Sequence, residues 1–191
     1  MDPFETLGAP RRFDLDLSAL EKTHRELSRA LHPDKFAQAG ASERRSALEK
    51  AANVNEAWRI LRDPIRRAEA LFRVEGIAVG EANEPKASPM FLMEVMEERE
   101  TLAEARAAKN LPKVRALASG IALRARDVEE KLIAGFANGS PSRDALEKLL
   151  PLLGEMRFYR RFLDEVEAIE EEAEEQAAAA ASGGLKSGVS P

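Results

Sequence analysis

The chain of 191 residues contains no cysteine. Disulfide bonds, metal sites built on thiolates and ligation of an iron–sulfur cluster by cysteine are therefore excluded. The sequence also lacks an apolar run of the ~18 residues that a membrane-spanning helix needs. Its first residues include Asp2 and Glu5 instead of the basic residues that open a secretion signal. We therefore expect a cytoplasmic protein that does not enter a membrane.

An excess of positive charge is lacking as well, because the formal net charge is −5. Residues 1–76 contain 14 basic and 13 acidic side chains, and the remaining residues contain 15 basic and 21 acidic ones. The acidic second half would repel the phosphates of a nucleic-acid backbone, and we expect no nucleic-acid partner. The positive charge is local to the first half, where it suits the steering of one protein towards another.

A basic amphipathic helix is predicted from Ser18, whose hydroxyl can cap the first turn with Glu21 three residues later. Its inner stripe follows steps of three and four residues and consists of Leu20, His24, Leu27 and Leu31. A different face carries Lys22, Arg25 and Arg29. This face is either an ordinary solvated surface or a docking surface for an acidic partner. Pro33 disfavours helical angles at His32, so the helix should end there.

The tripeptide His32-Pro33-Asp34, followed by Lys35, separates this helix from a second one predicted over residues 42–62. The inner stripe of the second helix is predicted to be Leu48, Ala52, Asn55, Trp58 and Leu61. Asp63-Pro64 is typical of a cap and first turn, and begins a third helix that should end at Gly76. A short helical turn over residues 3–8 completes a small unit. The polar tripeptide should therefore lie at the end of a helical hairpin, open to another protein.

Residues 1–76 resemble a J-domain, the module that activates DnaK-type chaperones of seventy kilodaltons. The resemblance is carried by the basic helix, the His32-Pro33-Asp34-Lys35 loop and the run from Asn53 to Trp58. The opening residues 2–8 and the run 61–69 resemble the HscB branch, whose members serve iron–sulfur cluster assembly. This resemblance implies binding to the chaperone HscA through Lys22, Arg25, Arg29, His32, Pro33, Asp34 and Lys35. His24 departs from the family pattern, and we expect it to be a partly buried packing residue.

The second half is predicted to be a three-helix bundle over residues 89–173, after a linker at 77–88. Its first helix should begin at Ser88-Pro89, and its second should end at Asn138-Gly139. The third should begin at Ser140-Pro141 and bend where Pro151 removes a backbone hydrogen bond. From residue 174 to residue 191 the sequence is rich in Ala, Ser and Gly, and we predict a disordered tail. The predicted fold class is therefore all-α, an N-terminal J-domain followed by a C-terminal three-helix bundle.

The first bundle helix has more apolar side chains than one buried stripe needs. If Phe91, Val95 and Leu102 face the core, then Leu92 and Met96 lie on a neighbouring, exposed face. The alternative is that Leu92, Met96 and Phe158 are themselves core residues. The HscB resemblance favours the exposed arrangement and implies that this surface binds IscU, the scaffold protein for cluster assembly. The candidate contacts for this client are Leu92, Met93, Met96, Glu97, Glu100, Glu104 and Phe158.

The resemblance implies a co-chaperone that binds IscU, stimulates the ATPase of HscA and aids cluster assembly and transfer. We expect no enzymatic activity, no cofactor and no metal site. An acid–base pair of His32 and Asp34 is disfavoured because no other catalytic side chains accompany it. A metal site of His24 and His32 is disfavoured because a helix end separates them. A J-domain protein with a client other than IscU remains an alternative.

Overall fold

A computed structural model describes residues 1–80, 87–137 and 141–184, and in these ranges the chain is helical with no β-strand. The predicted all-α class is confirmed. Two compact units are present, one from residues 1–85 with 129–153 and the other from 86–128 with 154–191. In order, the helices are α1 (Pro3–Thr6), α2 (Leu17–Ala30), α3 (Ala41–Arg62), α4 (Pro64–Val74), α5 (Pro89–Ala107), α6 (Leu111–Gly135), α7 (Arg143–Leu149) and α8 (Pro151–Gly184), with a 3₁₀ turn (Pro33–Phe36) between α2 and α3.

Helices α2 and α3 form the predicted hairpin. Leu20 is the buried residue of α2, while α3 buries Ala47, Val54, Ala57 and Leu61. The stripe predicted for α3 is wrong at Leu48, Ala52 and Asn55, which are exposed. The buried stripe lies on a neighbouring face of the helix, because spacing does not decide which of two adjacent apolar faces the rest of the unit covers.

His24 joins the two helices of the hairpin. Its ring stacks on Trp58 with 5.3 Å between centroids, and its Nε2 atom lies 2.9 Å from Asn55 Oδ1. The side chain is half-buried, so the predicted packing role is confirmed. Together the stacked ring and the polar contact hold the middle of α2 against α3.

The predicted cap of α2 at Ser18 is wrong, because the cap lies two residues earlier and the helix begins at Leu17. Asp16 is the cap, and its carboxylate accepts hydrogen bonds from the backbone N–H groups of Ser18 at 2.9 Å and Ala19 at 3.0 Å. A carboxylate at this position both satisfies two free donors and complements the positive end of the helix dipole. Asp63 caps α4 as predicted, accepting from Arg66 N–H at 2.9 Å.

The core of the first unit also draws on residues 129–153, which the sequence assigns to the bundle. Phe72 of α4 packs edge-to-face on Phe136, with 5.5 Å between ring centroids. Leu132, Leu146 and Leu153 are buried in the same unit. Gly135, at the end of α6, permits close approach of α7, because an added Cβ would clash with the Leu149 side chain. This unit therefore extends beyond the predicted boundary at residue 76.

One charged side chain, Arg67, is buried in the first unit. Its guanidinium carbon lies 4.9 Å from the centre of the Phe13 ring. Burial lowers the pKa of Arg67 from its ordinary value, and the negative charges of Glu129, Asp63 and Asp14 partly offset this effect. This burial could not be predicted from the sequence, since arginine is among the residues least often found inside proteins.

The second unit contains α5, the first part of α6 and most of α8, as a bundle of three helices. Ser88 caps α5 as predicted, accepting from Phe91 N–H at 3.1 Å. The core is made of large apolar residues from all three helices, namely Leu102, Val114, Ile121, Val128, Met156, Phe162, Val166 and Ile169. Ion pairs cross the bundle surface between Arg106 and Glu172 (2.8 Å) and between Arg115 and Glu170 (2.6 Å).

The last predicted helix differs from the structure in three ways. Its predicted start at Ser140-Pro141 is wrong, because Ser142 is the cap and the helix begins at Arg143. It is divided at Leu150 into α7 and α8, because Pro151 lacks the N–H that would continue the hydrogen-bond ladder. The tail predicted as disordered from residue 174 is helical as far as Gly184, as its run of Glu and Ala favours. Residues 185–191, the predicted stop at Asn138-Gly139 and part of the linker lie outside the described residues. The linker's described residues, 77–80 and 87–88, are not helical.

The cap of α2 provides a direct test of the fold. Asp16→Ala should lower the free energy of unfolding by about 0.5–2 kcal/mol, because two backbone donors lose their acceptor. Ser18→Ala is the matched control and should change stability little, since Ser18 offers no cap bond. Urea unfolding followed by circular dichroism measures both variants. A larger loss in the Ser18 variant would contradict the observed helix start.

Candidate functional site

The His32-Pro33-Asp34 tripeptide forms an exposed turn at the end of the α2–α3 hairpin. Pro33 begins the 3₁₀ turn, and the His32 ring caps it by accepting from Asp34 N–H through Nδ1 at 3.3 Å. The Asp34 carboxylate lies 3.4 Å from the same ring nitrogen. The His32 and Asp34 side chains are 58% and 89% exposed, so both are open to a binding partner. This is the arrangement expected from the sequence.

The basic side chains predicted beside this turn are also exposed. Lys22, Arg25 and Arg29 lie on the outer side of α2, and Lys35 lies within the turn. Arg25 forms an ion pair with Glu21 one turn earlier, while the described part of the chain offers no ion-pair partner to Lys22, Arg29 or Lys35. We name these residues, with His32, Pro33 and Asp34, the hairpin surface. Its unpaired cations are available to an acidic partner.

Helix α5 presents apolar side chains on two opposite sides. Its inner side contains Leu102 and Ala105, which are buried, and Phe91 and Val95, which are half-buried. Its outer side contains four exposed residues, which we name the apolar face: Met90, Leu92, Met93 and Met96. The exposed arrangement favoured for Leu92 and Met96 is therefore observed. Met90 was not predicted, although its place in the first turn of α5 put it beside Met93 and Glu94.

Acidic residues continue the outer side of α5 beyond the apolar face. Glu97, Glu100 and Glu104 are exposed, as predicted, and Glu104 lies 3.7 Å from Lys113 of α6. An apolar patch next to charged side chains is typical of a surface that binds another protein. The charges keep the patch soluble and give a partner polar groups to recognise.

The predicted contact at Phe158 is wrong in this structure, because its side chain is only 7% exposed. The ring packs edge-to-face on Phe91 and Tyr159, with centroid distances of 5.7 and 5.6 Å, and also lies against Phe162. These aromatic residues support α5 from beneath. The burial of Phe158 could not be predicted from the sequence pattern. Residues 156–163 of α8 contain many large side chains, and their spacing alone does not show which are buried and which are exposed.

Tyr159 completes this aromatic cluster. Burial raises the pKa of its phenol, and the negative charge of Glu155 acts in the same direction. Arg124, which is ion-paired with Glu98, lies over the Tyr159 ring at 5.8 Å. The cluster thus links all three helices of the bundle and fixes the position of α5.

The two surfaces are suited to binding, and their side chains do not form a catalytic constellation. Across the described ranges, no group of three His, Cys, Asp or Glu side chains is placed to hold a metal ion. None of the helices in those ranges has the length and apolar character of a membrane span. His32 and Asp34 stand on a turn where their side chains are 58% and 89% exposed.

Two family models match successive parts of this chain. Residues 2–70 match the family model of the DnaJ domain, and residues 87–167 match that of the HSCB C-terminal oligomerisation domain. The fold and the exposed turn therefore define a J-domain protein with a helical C-terminal domain.

Relatives and solved structures give the finer family. A co-chaperone protein HscB homolog of Burkholderia multivorans is 35% identical over 90% of this chain and 95% of its own length. A homolog of Paraburkholderia phymatum is 40% identical over 72% of this chain and 78% of its own length. The chaperone HscB structure from Vibrio cholerae has a TM-score of 0.76 at 33% identity, covering 90% of this chain and 99% of its own. The chain belongs to the HscB family of co-chaperones.

The burial of Phe158 generates a stability test. Phe158→Ala should lower the free energy of unfolding by about 3–5 kcal/mol, because it leaves a cavity beneath α5. Leu92→Ala is the control from the exposed side and should cost well under half of that, since its side chain meets solvent. Thermal or urea unfolding compares the two variants. Equal losses would show that Leu92 is also a core residue.

Proposed function

We propose that this protein is a cytoplasmic co-chaperone that binds the iron–sulfur scaffold IscU through α5 and stimulates the ATPase of HscA through the hairpin surface. In this way it would aid cluster assembly and transfer. The observation that carries the proposal is the pairing, in one HscB-family chain, of an exposed His-Pro-Asp turn with an exposed apolar face. The protein itself carries out no chemical step.

The hairpin surface supports the first half of the proposal. Asp34 and His32 are held outward by a turn that begins at a proline, and the exposed cations of Lys22, Arg29 and Lys35 flank them. To act on an ATPase, this surface needs only to bind its hydrolysing conformation better than the other. A difference of about 1–3 kcal/mol would shift the equilibrium by about fivefold to 150-fold.

The apolar face of α5 supports the second half. Leu92, Met93 and Met96 are exposed although they are apolar, and Glu97, Glu100 and Glu104 follow them. The aromatic cluster packs beneath α5, so little backbone freedom would be lost when a client binds there. A client held here and a chaperone held at the hairpin would be linked through one chain, which raises the effective concentration of each for the other.

The first functional prediction concerns the carboxylate of the turn. Asp34→Asn should abolish stimulation of HscA ATP turnover, because it removes the exposed negative charge while keeping the side chain's size. Folding should not change, since the Asp34 side chain is almost fully exposed. ATP turnover is measured with HscA at increasing co-chaperone concentration.

The matched control is Asp164→Asn, at an exposed position of α8 outside both surfaces. It should stimulate as the parent does. Full stimulation by the Asp34 variant, with normal circular dichroism, would refute the role of the turn.

The second functional prediction concerns the client. Leu92→Ala combined with Met96→Ala should weaken IscU binding by about 1–2 kcal/mol for each position that acts as a hot spot. Isothermal titration calorimetry with purified IscU measures the effect. HscA stimulation without the client should be unchanged, because the hairpin surface is intact.

Leu123→Ala is the control for loss of an exposed leucine, since Leu123 lies on α6 and is also exposed. Its affinity for IscU should equal that of the parent. If the Leu92/Met96 variant also binds IscU as the parent does, the client or its surface is wrongly assigned, and a J-domain protein with another client becomes the better hypothesis.

A further inference from the structure

Three of the five methionines lie side by side on the apolar face of α5. Met90, Met93 and Met96 are 69%, 72% and 71% exposed, and their spacing of three residues places them on one side of the helix. Met156, by contrast, is 5% exposed within the bundle. Exposed apolar side chains of this size are unusual at three successive turns, and all three are thioethers.

Every sulfur atom of the chain is a methionine thioether, because the sequence contains no cysteine, and Met1, at 64% exposed, is the one further exposed methionine among the described residues. An oxidant such as hydrogen peroxide therefore meets no competing thiol in this protein. Exposed thioethers react with peroxides, and the product is methionine sulfoxide, which is polar. Access to solvent decides which methionines react.

We propose that Met90, Met93 and Met96 form a reversible oxidation site that switches the apolar face off under peroxide stress. This inference rests on the proposed function, because the switch acts on the client-binding surface. In each event the sulfur attacks one peroxide oxygen, an S–O bond forms and the O–O bond breaks. The sulfur is oxidised by two electrons, and the other peroxide oxygen leaves as water after proton transfer.

Restoration needs a reductant of the thiol class. A methionine sulfoxide reductase takes up two thiols, returns the thioether and releases a disulfide and water. The cycle therefore closes with reagents of known chemical class, and no group of this chain is consumed.

The fold explains why oxidation here would change binding without unfolding the bundle. The sulfur atoms lie on the outer side of α5, whereas Leu102 and the aromatic cluster hold its inner side. A sulfoxide on the outer side remains hydrated in the free protein. In a complex the same group would be buried against an apolar partner, where a polar group without a hydrogen-bond partner is costly.

Oxidation should change the apolar face of α5 and leave the neighbouring acidic residues Glu97 and Glu100 unchanged. These carboxylates are exposed and do not react with peroxide, so the acidic part of the α5 surface keeps its charge after oxidation. The hairpin surface contains no methionine or cysteine, and its stimulation of HscA should survive treatment. Oxidation would thus separate client binding from ATPase activation.

The experiment treats the full chain with hydrogen peroxide, maps each methionine by peptide mass spectrometry, and measures IscU binding by calorimetry. The comparison protein carries Met90→Leu, Met93→Leu and Met96→Leu, which keeps the face apolar and removes the sulfur. We expect the three α5 methionines to react before Met156, and the parent to lose about tenfold or more in IscU affinity. The leucine variant, which keeps the exposed Met1, should bind IscU equally well before and after treatment. A methionine sulfoxide reductase with dithiothreitol should restore the parent.

Three results would overturn the proposal. If Met156 is oxidised as fast as the α5 methionines, exposure does not select them, and the proposed oxidation site is refuted. Unchanged IscU affinity in a parent oxidised at all three positions would remove the switch, while leaving the client surface in place. If the untreated parent does not bind IscU at all, the proposed client-binding function fails, and the switch fails with it. Calorimetry of the untreated protein detects that failure before any oxidation, so it is distinguished from a failure of the switch alone.

Discussion

The packing of α2 against α3 is the constraint on which the presentation of the His-Pro-Asp turn depends. Small residues on α3 let the helices approach, and the His24 ring on Trp58 closes the contact between them. With both helices fixed, Pro33 forces the chain into a short 3₁₀ turn at their end. In this turn the Asp34 carboxylate lies in solvent. A rigid, exposed charge of this kind loses little entropy when it binds.

In the second unit, helix α5 keeps an apolar face exposed to water. Helix α5 uses its inner side for the bundle core and leaves its outer side to a partner. The aromatic cluster of Phe91, Phe158, Tyr159 and Phe162 makes this possible, because it stabilises α5 without help from the outer residues. Loss of an outer side chain should therefore affect binding before it affects folding. The surface is also open to solvent chemistry, including oxidation.

Much of this could be predicted from local signals. The capping sequences Asp63-Pro64 and Ser88-Pro89 fixed two helix starts, and the stripe of α2 fixed which side faces outward. Long-range packing was harder to predict. Phe158 was placed outside and is buried, and Leu48 was placed inside and is exposed, because spacing identifies a face without naming the neighbour that covers it. The grouping of residues 129–153 with the first unit likewise depends on a contact between distant phenylalanines.

The most direct measurement is the rate of ATP hydrolysis by HscA as this protein is added, alone and together with IscU. The exposed turn predicts that the rate rises with the co-chaperone alone. The apolar face predicts a further rise when IscU is present, because client and chaperone are then held by one chain. An HscA rate that stays at its basal value at every co-chaperone concentration, with or without IscU, would contradict the proposed role of both surfaces.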